Sequence, residues 1–239
     1  MYANTLRGFP LVLLGLLAAS VRADYEPLRL GELIGLADVI VIGKIAAVEK
    51  LTFDIEVQES WIGERSPGES LTVKRFRDWG CAQRWEKYAV GQRVLLFLQR
   101  DQESQQPWQI LGAGDEGESR VTDDGVIPNF LIDEEAGRRA VTLAQLQPAV
   151  VDFRAAYRMT RGEHPTIDPK GSRGRLWFER IVFVPGSKAY SPPSNFRPRF
   201  PPGETPPSRT PPFAARSPLH RELAKWADDE RERIVQSRK

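Results

Sequence analysis

Between Ala37 and Trp61 apolar and polar residues fall into two extended runs. In the second, Leu51, Phe53, Ile55 and Val57 take every other position, with Thr52, Asp54, Glu56 and Gln58 between them, the period of a strand with one wet face. The first, Val39-Ile40-Val41-Ile42, is apolar on both faces and then meets Gly43, which predicts a long strand bent where the side chain is missing. Together they predict the opening hairpin of a small antiparallel barrel. After the turn signals Gly63 and Ser66-Pro67-Gly68, the stretch Leu71 to Phe76 alternates again as a third strand. Val94 to Leu98 is uninterruptedly apolar and predicts the most buried strand, and Trp108 to Leu111 a fifth, closing at Gly112 and Gly114. Arg120 to Thr122 and Val126-Ile127 flank an Asp124-Gly125 step, a small hairpin whose glycine supplies a positive φ.

Two stretches before and after these strands carry helical spacing. Leu30, Leu33, Ile34 and Leu36 predict a short helix, weakened by Gly31 and Gly35, that plugs one end of the barrel. From Val141 onward, Thr142 and Gln145 have capping-box spacing, and Leu143, Leu146, Val150, Phe153 and Tyr157 form one face of a helix ending near Arg161-Gly162. Pro148 costs about 3 kcal/mol in a regular helix interior, so a kink or a start is expected there. Beyond that helix, 13 of the 19 prolines fall between Gly162 and Pro218, a density that blocks helix and sheet alike. One island, Leu176 to Val184, has strand composition and could add to a barrel edge or dock on a partner. Ser217-Pro218 then starts an amphipathic helix with Leu219, Leu223, Trp226 and Ile234 on one face. The class that follows is mainly β: an OB-like antiparallel barrel with a packed α-helix over residues 24–160. A Pro-rich basic linker over 161–216, disordered apart from 176–184, and a terminal helix over 217–239 complete the chain.

The N-terminus reads as a targeting segment. Arg7 precedes the apolar run Phe9 to Ala19, and Val21-Arg22-Ala23 places small residues for a signal peptidase, predicting cleavage between Ala23 and Asp24. The residue after the cut is not cysteine, so a lipoprotein anchor is not indicated, and no later stretch is apolar long enough to cross a membrane. The expected location is secreted or periplasmic. Cys81 is the single cysteine, so it is expected to be buried or to pair with a second chain, and stability must come from a hydrophobic core. The formal charge of +2 is unevenly spread. Residues 24–160 hold 16 Lys and Arg against 23 Asp and Glu, a balance of −7, whereas 161–239 hold 16 against 9, a balance of +7. A basic tail suggests an anionic cell-envelope polymer or phospholipid surface as partner. Its rivals are a tail that folds back on its own acidic body, or a solvated spacer.

Chemistry concentrates in the loop Phe76 to Tyr88, whose aromatic residues either fold onto the barrel or form a recognition surface. Trp79, Cys81, Arg84, Trp85 and Tyr88 are the candidates for a ligand or partner surface. Catalysis by Cys81 needs a base, and the only histidines, His164 and His220, lie in the tail. Asp78 and Glu86 could serve as an acid/base pair but read more simply as solvated loop carboxylates. Asp123-Asp124 lacks the further ligands of a calcium loop and reads as a turn. Arg75, Arg77, Arg84 and Lys87 beside the aromatic residues could bind single-stranded nucleic acid, but export and the acidic body argue against it. No catalytic, metal or cofactor residues are therefore assigned.

In order, the chain presents a short helix, an A-D-V-I-V-I-G-K-I strand and an alternating F-D-I-E-V-Q-E-S-W-I-G strand. A loop cysteine before G-Q-R-V-L-L-F-L, a Gly-rich turn and a helix follow. From Leu28 to Tyr157 this resembles the netrin-like module, the OB-type barrel of tissue inhibitors of metalloproteinases and of secreted bacterial proteins. In those inhibitors an N-terminal Cys-x-Cys reaches the catalytic zinc of the target. Here the processed chain would begin Asp24-Tyr25-Glu26, and Cys81 lacks the disulfide partner that the module implies, so only the barrel carries over. The expected function is that of an exported, non-enzymatic binding protein for a protein, peptide or saccharide, tethered by its basic tail. The alternatives are a steric inhibitor of a secreted protease and a structural envelope protein cross-linked through Cys81.

Overall fold

The structure is a computed structural model that describes residues 27–78, 82–100, 108–112, 116–128, 130, 140–167, 175–184 and 216–238, with backbone alone at 163–167 and 175–176. Helix α1 (Leu30–Leu36) leads into β1 (Val39–Val48), β2 (Thr52–Ile62), β3 (Ser70–Lys74), β4 (Arg93–Gln99), β5 (Gln109–Ile110), β6 (Glu118–Thr122) and β7 (Gly125–Ile127). Helix α2 (Leu143–Ala156), strands β8 (Tyr157–Ile167) and β9 (Arg175–Phe183), and helix α3 (Pro218–Ser237) complete the order. The expected signal segment, Trp79, Cys81 and most of the Pro-rich stretch lie outside the described residues.

The first sheet runs β3-β2-β1-β4-β6-β7, with β5 paired to β4, and all these pairings are antiparallel. Its ends meet. The Lys74 amide donates to the Trp108 carbonyl at 2.8 Å and the Trp108 amide to the Thr72 carbonyl at 3.0 Å, a parallel bridge that joins β3 to the segment opening β5. Strands β1 to β5 thereby close into the expected OB-like barrel, which leaves few unpaired edges. The bend anticipated at Gly43 is a register shift between Ile42 and Gly43. A Cβ at Gly43 would come within 2.9 Å of Ile55 Cδ1, so the strands approach there as only glycine permits.

Why β1 and β4 lack a polar face becomes clear from the two cores. Val39, Val41 and Ile45 of β1 and Val94, Leu96 and Leu98 of β4 join Phe53, Ile55, Val57, Leu71 and Val73 inside the barrel. The alternate residues Ile40, Ile42, Leu95 and Phe97 belong to a second core on the outer face, under all three helices, β7 and β9. A strand covered on both sides reads as a continuous apolar run.

Helix α1 is part of this outer core and does not plug the barrel, contrary to its expected place. All seven of its residues are buried. Its glycines, four residues apart, are contact points: a Cβ at Gly31 would lie 2.2 Å from Trp226 Cε3, and one at Gly35 2.5 Å from Phe178 Cζ. Close approach of two rings outweighs the cost of glycine in a helix, about 1 kcal/mol each relative to alanine. Arg154 caps the far end, donating from Nη1 to the carbonyls of Ile34 at 2.9 Å and Gly35 at 3.1 Å.

Helix α2 starts where the capping box lies, with Gln145 N donating to Thr142 Oγ1 at 3.3 Å, and it runs through Pro148. Pro148 and Ala144 are solvent-exposed, so the carbonyl that proline leaves unpaired faces water. The helix ends at Ala156 and not near Arg161. Tyr157 takes extended geometry, φ −122° and ψ 132°, and opens β8, which pairs antiparallel with β9. The same ring satisfies both readings. Tyr157 still stacks on Phe153 at 4.9 Å, while meeting Phe183 across the hairpin at 5.7 Å. The Leu176–Val184 island thus pairs with β8 in a separate two-stranded sheet, not at a barrel edge.

Helix α3 is not an appendage. Leu219, Leu223, Ala224, Trp226, Ala227 and Ile234 sit in the outer core beside α1, α2 and β9. Trp226 meets Phe153 and Phe178 edge-on at centroid distances of 5.9 and 6.1 Å, arrangements favoured by the ring quadrupoles. Two tail arginines pair with the body, Arg161 with Asp38 at 3.4 Å and Arg216 with Asp152. At these positions the basic segment does fold back on acidic residues.

Candidate functional site

The loop from Arg75 to Gln92 is built around one buried ion pair. Arg84 and Glu118, whose side chains are 3% and 0% exposed, meet at 2.8 Å between Nη2 and Oε1, with Nε donating to the same oxygen at 3.1 Å. Two further donors are used: Nη1 to the Glu86 carbonyl at 2.7 Å and Nη2 to Gln92 Oε1 at 2.9 Å. Tyr88 donates its hydroxyl to Glu118 Oε2 at 2.8 Å and accepts the Phe76 amide at 3.2 Å. Burial, then the neighbouring Glu118 charge, pushes the Tyr88 phenol well above its ordinary range, so it stays a donor. The guanidinium stacks over Trp85 at 4.1 Å and Tyr88 at 3.9 Å. A buried charge is tolerated when each guanidinium nitrogen finds an acceptor in this way.

Local sequence explains the location. Glu118 stands opposite Leu96 in the β4–β6 ladder, and Leu96 belongs to the inner core. Its carboxylate therefore sits on the barrel-interior side and requires a cation from above. Trp85 and Tyr88 pack against that inner core, with Tyr88 4.8 Å from Phe53. It is this loop, and not α1, that covers the inner core.

Of the five residues singled out from the sequence, Arg84, Trp85 and Tyr88 come together here. Arg84 is buried and the two rings are half-buried, so all three hold the loop in place. Trp79 and Cys81 lie outside the described residues. What the loop frames is an open cleft of about 260 Å³, lined by Lys50, Arg75, Arg77, Asp78, Glu86 and Lys87 around Tyr88 and Arg84. Glu118 was missed because its partner is 34 residues away. The available signal was a carboxylate paired with an apolar residue in mid-sheet.

A second cluster was also missed. The sequence sets both histidines in the tail, with His220 in its terminal helix and no partner foreseen, yet His220 is buried in α3, its Nδ1 2.7 Å from Ser217 Oγ and its Nε2 3.1 Å from Asp152 Oδ2. A serine, a histidine and an aspartate in sequence are the components of a nucleophilic triad. Here the serine is the N-cap of α3, accepting the His220 amide at 3.3 Å, and the imidazole is 3% exposed. The geometry is that of a cap tied to α2. Replacing Ser217 by alanine is expected to lower stability by about 1 kcal/mol, read as a shift of the urea midpoint.

Among the described residues, no three of His, Cys, Asp or Glu are grouped as metal ligands, and no described helix is long and apolar enough to cross a membrane. No family profile, curated protein or solved structure matches the chain.

Proposed function

We propose that the chain is an exported, non-enzymatic binding protein in which the barrel presents the β3–β4 loop as its recognition surface. The observation that carries this reading is the loop's construction. A buried Arg84–Glu118–Tyr88 hydrogen-bond network anchors residues 84–92 of an otherwise irregular segment over the barrel and leaves an open cleft beside it. Rigid loops on a closed β scaffold are where binding residues concentrate, because an ordered loop loses less entropy on binding. Export is supported by the Arg7, Phe9 to Ala19 and Val21-Arg22-Ala23 pattern. The netrin-like resemblance is compatible with a secreted recognition role, and attachment to an anionic envelope surface would fall to the basic segment between β9 and α3.

The test uses the chain from Asp24 to Lys239, probed against arrayed peptides and neutral and charged oligosaccharides. A ligand whose binding is lost on exchanging loop residues 76–78 for glycine and serine, but kept in the Arg180→Glu variant on the other sheet, is the expected result. No loop-dependent ligand in any class, or ester hydrolysis that disappears in Ser217→Ala, overturns the proposal.

A further inference from the structure

The cleft beside the loop carries a charge imbalance that the network does not consume. Arg84 is matched by Glu118. Asp78 accepts the Arg84 amide at 3.0 Å, and Glu86 accepts Gln92 Nε2 at 2.9 Å, so both carboxylates are held by neutral donors of the loop. Lys50, Arg75, Arg77 and Lys87 face the same space, and among the described residues none of these four forms an ion pair with a carboxylate. Four cations against two engaged carboxylates give the cleft a surplus of +2, in a body whose residues 24–160 balance to −7. Like charges crowded into one cleft repel one another, and the field they focus there draws in an anion.

One of the four is positioned in advance. Arg75 donates from Nη1 to the Glu49 carbonyl at 2.8 Å, and its guanidinium lies 4.9 Å from the Tyr88 ring centroid. Its Nη2 makes no hydrogen bond among the described residues. A fixed guanidinium with a free edge is suited to a tetrahedral or planar oxyanion. Lys50, Arg77 and Lys87 are exposed at the rim and add charge without a set geometry. The size limits the occupant: about 260 Å³ falls below the roughly 300–1,000 Å³ of sites that enclose a whole small molecule.

We infer that this cleft is a binding site for a single oxyanion group, a phosphate or carboxylate, either free or at the end of a larger molecule. The inference rests on the binding reading above and supplies the chemistry of its ligand. Binding of inorganic phosphate, phenyl phosphate and acetate is measured by calorimetry on the 24–239 chain, its Arg77→Glu/Lys87→Glu double variant and the Arg180→Glu control, with circular dichroism and melting as folding checks. Saturable binding that falls at least tenfold in the double variant and stays unchanged in the control is the expected result. Phenyl phosphate binding tighter than inorganic phosphate assigns the group to a larger molecule, and equal binding assigns it to the free ion. An Arg75→Lys variant keeps the charge but loses the fixed fork, and is expected to weaken phosphate severalfold. Absence of saturable binding, or binding that the double variant leaves intact, overturns the inference. A neutral ligand found on the array in that event would leave the binding reading standing, whereas an empty array would remove both.

Discussion

Replacing Arg84 by alanine is expected to cost about 3–5 kcal/mol of folding stability, because it removes one partner of a buried ion pair and withdraws the guanidinium from the interior Glu118 carboxylate. Glu118 is 0% exposed, and of the oxygens that Arg84 and Tyr88 serve, Oε1 loses both guanidinium contacts at once. The loop loses its anchor as well, since the Glu86 carbonyl and Gln92 amide oxygen are held by the same guanidinium. Urea unfolding followed by tryptophan fluorescence reads the loss, and a cost under about 1 kcal/mol would contradict the assignment. Removing both charges with Arg84→Met/Glu118→Leu is expected to recover much of the stability, because the desolvation of two ions disappears along with their attraction. The recovered protein should nonetheless differ at the loop, where the Glu86 and Gln92 hydrogen bonds have no donor. The paired variant thus separates stability from the ordering of the recognition surface.

The second large effect concerns α3. Trp226 is 8% exposed, lies over Gly31 and touches the rings of Phe153 and Phe178. Trp226→Ala is expected to cost about 3–5 kcal/mol, the range for removing a large buried ring. Limited proteolysis should then cut near residues 216–238 in the variant while sparing them in the parent. Gly31→Val approaches the same contact from the other side, since its Cβ would stand only 2.2 Å from the ring and the helix must move to relieve it. If the two substitutions act on one contact, the double variant costs less than the sum of the singles. Simple additivity would show that α3 is held elsewhere.

The barrel was legible because its signals are local. Alternation from Leu51 to Val57, the apolar runs at Val39 and Val94, and the Asp124-Gly125 step each specify geometry over a few residues, and the strands stand where they were read. The outer core was not legible, because its pieces are defined by distant partners. Gly31 and Gly35 argue against a helix on propensity, and only the rings of Trp226 and Phe178 explain them. Tyr157 fits the helical face of α2 and equally the first position of β8, and a strand twenty residues on decides between them. At the candidate site the sequence singled out this loop but left open whether its aromatic residues fold onto the barrel or form a surface, and it grouped Arg84 with the surface candidates. Their inward role depends on Glu118, which no local pattern connects with them.

The Gly31–Trp226 contact joins the first helix of the fold to the last. A chain emerging from the ribosome at about 5–20 residues per second can roll up its strands early, but the Gly31 face of α1 gains its cover only once α3 has followed. Completion of the outer core therefore waits on α3. A product clipped or stalled before α3 would present an oily face to chaperones and proteases, so that loss of this one twenty-residue helix marks the whole molecule as unfinished.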